Sequence, residues 1–310
     1  MNCYRVLSLV FLLIAATQPD CGNCTEWSES FDSLTNAKVA LTEFGGSNNV
    51  FVADYASSFF IPEAPRSVPG GSATTGLVIE VNRSSPGTVS SVNATALIAP
   101  NGPTLDLTNN YRVSFDVYMS LRIASLPYSG STQAMLWGIG TGDTNANGRG
   151  APTANDGVWG WLAVDGGFLS EDATFYNEDV AVQELRQQPP DEAPFFSQAF
   201  GSVSPNNVPW NRWVPVDIVV ENNVVDVFFS GVRFFSETAT NTDGTPFLGY
   251  MDPFAGLSAV PDFQRAVFDN FRVEFVPEPN SGLLCVFLVA CIAIRRSRKY
   301  LSRPGLEGEA

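Results

Sequence analysis

The sequence predicts an all-β protein, a two-sheet antiparallel β-sandwich set between two short apolar ends. Three observations point there. Apolar residues recur at every second position along most of the chain, the period of a strand with one face on a core. Turn-forming residues punctuate these runs, with 26 Gly and 21 Pro among 310 residues. The 23 Phe, in a chain that is 45% hydrophobic, supply bulk for the space between two sheets. A sandwich of roughly 200–250 residues commonly forms one domain, so the length does not demand two.

The elements follow in order. Leu77, Ile79 and Val81 alternate with Val78 and Glu80. In YRVSFDVYMSL, Tyr111, Val113, Phe115, Val117, Met119 and Leu121 fall on one face, with Arg112, Ser114, Asp116, Tyr118 and Ser120 on the other. In WVPVDIVV, Val214, Val216, Ile218 and Val220 share a face, and Asn222-Asn223 supplies a turn that tolerates positive φ. Val225, Val227 and Phe229 return, and Ser230-Gly231 turns again into Val232–Phe235. The last strand places Phe271, Val273 and Phe275 together. One helix is expected, a short surface turn through EDVAVQELRQQ, capped by Asn177 and stopped by Pro189-Pro190. No repeat of about 20–50 residues is visible, which disfavours propellers and solenoids.

The ends read as addresses. Residues 1–17 carry Arg5, an apolar run over Val6–Ala16 and the small residues Ala15, Ala16 and Thr17, the pattern of a secretory signal peptide. Residues 18–27 are a linker, and 28–276 are the sandwich. At the other end Pro277-Glu278-Pro279 precedes a short apolar stretch to Ile294 and then Arg295, Arg296, Arg298 and Lys299. Flanking arginines hold such a stretch with its basic end in the cytoplasm. This order and position resemble the bacterial PEP-CTERM sorting domain. The resemblance implies a short C-terminal transmembrane helix within 277–299, a cytoplasmic tail over 300–310, and recognition by an exosortase-type sorting enzyme after a signal peptidase has acted. It also implies delivery to the cell surface or extracellular matrix.

A second resemblance lies in the middle. An opening ESFDSL, a glycine-rich DGVWGWLAVDGG, a Trp-led WVPVDIVVENNVVDVFFSG and a closing AVFDNFRVEF, in that order, resemble a concanavalin A-like or laminin-G-like jelly roll.

Charge and composition exclude much chemistry. The formal charge is −15, with 32 acidic against 17 basic residues, and much of the positive charge sits in the C-terminal cluster. Such a surface repels nucleic acid. The absence of His removes Ser-His and Cys-His nucleophile pairs and nearly all catalytic zinc sites. Of five Cys, Cys3, Cys285 and Cys291 belong to the apolar ends, leaving Cys21 and Cys24 as a local disulfide or idle thiols.

No strand carries the E-x-D-x-E alternation that laminarinase-type hydrolases of the jelly-roll class use, so catalysis is not expected. The loop GTGDTNANGRG sets Asp143, Asn145 and Asn147 at alternate positions before Gly148, with Asp156 beyond, a spacing that can gather oxygens around calcium. Trp159 and Trp161 flank Gly160 and point to one sheet face, where they can form a sugar platform or pack in the core. Trp137 and Trp213 are expected in the core. The expectation is an exported, non-catalytic sandwich that binds polysaccharide. The alternatives are a structural matrix protein without a specific ligand and a secreted glycan-active hydrolase.

Overall fold

The computed structural model describes residues 27–33, 38–66, 73–83, 90–96, 110–121, 133–139, 157–164, 172–185, 194–201, 209–242, 246–253 and 264–275. The expected signal segment, Cys21 and Cys24, the loop from Asp143 to Asp156 and the expected sorting tail all lie outside these residues. The compact unit that holds the sandwich ends at Phe275, and the chain from Val276 on is a second unit.

In chain order the described elements begin with β1 (Trp27–Glu29), β2 (Val39–Phe44), β3 (Asn49–Asp54), helix α1 (Tyr55–Phe59), β4 (Thr75–Glu80) and β5 (Ser90–Ala96). Next come β6 (Tyr111–Ser120), β7 (Ala134–Ile139), β8 (Val158–Ala163), β9 (Ala173–Asn177), β10 (Val180–Leu185) and helix α2 (Pro194–Phe200). The last are β11 (Trp213–Glu221), β12 (Val224–Phe229), β13 (Val232–Thr238), β14 (Phe247–Asp252) and β15 (Arg265–Phe275).

These strands form two antiparallel sheets. One has eight strands ordered β13-β12-β11-β6-β15-β4-β3, with β1 added beside β15, and the other has seven ordered β10-β9-β8-β7-β14-β5-β2. The chain crosses between sheets repeatedly, so β14 and β15, next to each other in sequence, lie in opposite layers. This is the two-sheet jelly-roll sandwich that the period-two pattern predicts.

The core lies between the layers, and the inward residues are those the alternation selects. Val113, Phe115 and Val117 of β6 meet Val216 and Ile218 of β11, and Trp137 of β7 is wholly buried among them. Phe175 stacks on Phe235 with ring centroids 4.7 Å apart. The two hairpins adopt the expected turns, with φ of 52° and 63° at Asn222 and Asn223, and 50° and 79° at Ser230 and Gly231.

The helix expected after Asn177 does not form. Glu178 takes a φ of 55° in a tight turn, and Val180–Leu185 runs back along β9 as the edge strand β10. The apolar residues there, Val180 and Val182, are spaced by two, and β-branched side chains favour a strand. Pairing with β9 then outweighs the weak propensity of so short a helix. The helices that do form lie elsewhere. Asp54 caps α1 by accepting from the backbone N–H groups of Ala56 and Ser57, and α2 buries Phe196 and Phe200 against Phe234.

Candidate functional site

Each sheet has an outer face, and the two differ in chemistry. On the seven-stranded sheet, Trp159 and Trp161 point outward together from β8, as their spacing predicts, and join Leu136, Phe247 and Met251 in a second apolar cluster. Both indoles are buried, at 2% and 0% exposure. Trp159 stacks on Tyr176 of β9, centroids 4.1 Å apart and planes 7° from parallel, and its Nε1 donates to Glu178 O at 3.0 Å. Neither ring therefore offers an open face for a sugar to stack on in this structure.

Hydroxyl and amide side chains flank the aromatics. Thr174 stands opposite Trp161 across the β8–β9 pair, and Thr42 of β2 stands opposite Asn93 of β5. Four polar atoms here, Trp161 Nε1, Thr174 Oγ1, Ser91 Oγ and Thr42 Oγ1, are buried without a hydrogen-bond partner. Leaving such a group unsatisfied costs about 1–3 kcal/mol, so native proteins seldom do it without reason. From β9 across to β2, no outward-facing side chain is charged. Sequence reading finds the tryptophans through their spacing, but not the hydroxyls, because the strands that bring them together are far apart in the chain.

The outer face of the eight-stranded sheet is built differently. Residues 55–66, comprising α1 and the extended run after it, lie across this face as a strap. Tyr55 and Ile61 are buried against Val78 and Val267, with Tyr118 and Trp213 packed beside them. Trp213, expected in the core, is half-buried on this outer face instead, because β11 turns its odd-numbered residues away from the other sheet. Its Nε1 donates to Pro62 O at 2.6 Å.

Polar contacts fasten both ends of the strap. The Arg66 Nε donates to Asp116 Oδ1 at 2.7 Å, its backbone N–H to Asp116 Oδ2 at 3.1 Å and its Nη1 to Asp217 Oδ1 at 3.0 Å. Nη2 donates to the backbone oxygens of Phe115 and Val216. Burial pushes the Asp116 carboxyl above its ordinary value, against the pull of Arg66. Near α1, Arg265 lies 4.0 Å above the Phe59 ring and pairs with Glu80 at 3.3 Å. A bulge in β15 between Asp269 and Arg272 puts Asn270 at a φ of 58° and turns its Nδ2 to Asp116 Oδ2 at 3.0 Å. Nothing local in the sequence announces this network, whose partners are 50 to 154 residues apart.

Beside the strap a shallow hollow of about 340 Å³ is lined by Arg112, Asp217, Val219, Glu221, Asp226 and Phe228. Two of its carboxylates are engaged, Asp217 by Arg66 and Asp226 by Arg233 at 3.5 Å. Among the described residues no group of three His, Cys, Asp or Glu is placed to hold a metal. Nor is any helix among them long and apolar enough to cross a membrane.

No protein-family model matches the chain, and no curated protein matches it either. The resemblance of the tail to a sorting domain thus rests on the tail's own residues. Solved structures give likenesses of shape. The chain is similar to a β-glucanase of Bacillus licheniformis at 9% identity and a TM-score of 0.43, over 82% of this chain and 100% of that one. It is similar to peanut lectin bound to a nine-residue peptide at 11% identity and a TM-score of 0.42, over 82% and 99%. It is similar also to the carbohydrate-binding module CBM66 from Bacillus subtilis at 9% identity and a TM-score of 0.37, over 69% and 92%. These likenesses assign no activity and no residue. By its own strand order the chain is a two-sheet jelly-roll protein.

Proposed function

We propose that this is an exported β-sandwich that binds a neutral polysaccharide, without cleaving it, on the outer face of its seven-stranded sheet. The observation that carries the reading is the set of four buried polar atoms without partners on an aromatic face whose strands β9 to β2 carry no outward charge. Sugar hydroxyls both donate and accept, so they can satisfy an indole N–H and a threonine oxygen alike. The Trp161–Thr174 pair and the Ser91–Thr42 group are separated by the breadth of β7 and β14, roughly 14 Å at the usual strand spacing. A ligand that reaches both is a chain of sugars, longer than one ring. The absence of outward charge from β9 to β2 favours neutral polymers over uronate-rich or sulfated ones, which the acidic surface, with Glu184 beside Thr174, would repel. Because the four atoms are shielded from solvent, binding has to open this face. In this reading Trp161 contributes its N–H and Trp159 holds Tyr176 in place, so neither serves as a bare platform.

The non-catalytic part rests on chemistry. Glycoside hydrolysis ordinarily needs two carboxylates across the scissile bond, and from β9 to β2 no strand of this face presents one. Glu184 on the edge strand β10, opposite Thr174, is the one charged outward residue of the described strands of this face. Export and sorting follow from the ends. Signal peptidase would act on the first, and an exosortase-type enzyme would recognise Pro277-Glu278-Pro279 with Arg295, Arg296 and Arg298. The protein then resides at the cell surface or in the surrounding matrix.

Affinity electrophoresis of the full chain through gels containing neutral, uronate-rich or sulfated polysaccharides tests the binding claim. Retardation by a neutral polymer alone is the expected result. Equal mobility in every gel would leave a structural matrix role, and release of reducing ends from a retarding polymer would make the protein a hydrolase.

A further inference from the structure

The eight-stranded sheet buries two carboxylates side by side. Asp116 and Asp269 are register partners on β6 and β15, exposed by 0% and 2%. Asp116 has the Arg66 guanidinium and the Asn270 amide, so its negative charge is matched. Asp269 has no cation of its own among its hydrogen-bond partners. Its Oδ1 accepts from the Asn270 backbone N–H at 2.7 Å, and its Oδ2 lies 2.9 Å from Tyr55 Oη.

Tyr55 decides where the proton is. Its hydroxyl has one hydrogen to give. The Ala64 N–H already donates to Oη at 3.2 Å, and Ala73 O, 2.8 Å away, can only accept. If the Tyr55 hydrogen goes to Ala73 O, then the contact to Asp269 is a hydrogen bond only when Asp269 brings the hydrogen. If Asp269 is ionised, it takes the Tyr55 hydrogen and leaves Ala73 O without it. Only the protonated carboxyl satisfies all three neighbours at once.

We propose that a proton held on Asp269 locks the strap, residues 55–66, onto the eight-stranded sheet, and that losing this proton loosens the strap. The lock joins both layers of contact. Tyr55 is the buried root of α1, Ala64 belongs to the far limb of the strap, and Ala73 belongs to the segment leading into β4. Ionising Asp269 would also set a second buried negative charge against Asp116, with Arg66, already paired to Asp116 and Asp217, left to balance both. The charged groups that face this point are Asp116 from β6, Arg66 and Glu63 from the strap, Asp32 after β1, and Asp217 from β11 through Arg66. Burial, then the Asp116 and Asp32 charges, push the Asp269 carboxyl up from its ordinary 3.8 to about 7. Burial likewise pushes the Tyr55 hydroxyl up, so it stays a donor throughout.

The direction of the pH effect follows. The closed strap holds the Asp269 proton more tightly than the open one, so closure is strongest below pH ~4, where both states are protonated. It then weakens about tenfold per pH unit. Above about pH 7 it levels off, because Asp269 is ionised in both states.

Hydrogen exchange of the strap amides in the full chain, corrected for the intrinsic pH dependence, reads this directly. Wild-type protection should fall about tenfold per unit between pH ~4 and ~7 and then level off, whereas Asp269→Asn should lose most of that slope, keeping only what the raised Asp116 carboxyl contributes. Infrared spectroscopy gives a second reading that needs no variant to fold: a protonated-carboxyl band should fade around neutrality. PH-independent protection of the wild-type strap, or no carboxyl band at pH 5, would overturn the proposal.

Discussion

Arg66 ties the far end of the strap to two strands through one guanidinium, and Asp116 beneath it is completely buried. Removing the cation strands that carboxylate, and breaking a buried pair in this way typically costs about 3–5 kcal/mol. Arg66 is itself about a third exposed, which places Arg66→Gln near the low end, roughly 3 kcal/mol in urea denaturation. Asp116→Asn in the same background should recover much of the loss, since the uncompensated charge is gone. In sequence, Asp116 looks like one more polar residue on the solvent side of a well-formed strand. The alternation does place it on the outer face, correctly. That this face is covered, and that Arg66 covers it, depends on a partner 50 residues away, which no local pattern encodes. The same holds for Trp213, whose size suggested the core while its place in the period-two pattern put it outside.

Among the elements, the strands that pack on one side only were the most legible, because a half-buried strand writes its burial into every second residue. β11 and β12 show it residue by residue, while β6 shows it only toward its ends because the strap covers Ser114 and Asp116. β7, β8 and β14 are buried on both faces and read as unbroken apolar runs, so their inward side could not be told from periodicity. Gly160 in β8 shows what that hid. A Cβ there would lie 2.6 Å from Thr174 O and 2.6 Å from Trp137 Cζ2. The glycine between the two tryptophans is thus a requirement of the third, Trp137, which packs over it from the core. Gly160→Ala should force Trp137 from its place and destabilise by about 1–3 kcal/mol, as overpacking does. A melting temperature within a degree of wild type would show that β8 yields more easily than its contacts suggest. β10 makes the complementary point. Its acidic start and Pro-Pro end satisfy helix rules, yet an available sheet edge decided the outcome.

At the scale of the molecule, two sheets share one core but present unlike outer faces. One is strapped down by ion pairs and buried carboxylates, the other has no outward charge from β9 to β2 and is rich in aromatic rings and hydroxyls. The fold class was readable from the sequence because it depends on the alternation that burial imposes. The reading of the ends as addresses rests on linear sequence alone, since both ends lie outside the described residues. The candidate binding face was only half readable: Trp159 and Trp161 announce themselves by spacing, whereas Thr174, Ser91 and Thr42 join them through strand pairing alone. Those hydroxyls also separate function from imperfect packing. Replacing a buried, unpartnered polar atom by an apolar one of similar shape should leave stability unchanged or slightly raised. The most direct measurement is therefore the affinity of Thr174→Val and Trp161→Phe for the neutral polysaccharide that retards the wild type, taken with their melting temperatures. The account predicts that binding weakens about tenfold or more in both, as the loss of one well-made hydrogen bond implies, while the melting temperature of Thr174→Val holds or rises and that of Trp161→Phe, which also leaves a cavity, falls. Wild-type affinity in both variants would contradict it and move any glycan site off this face.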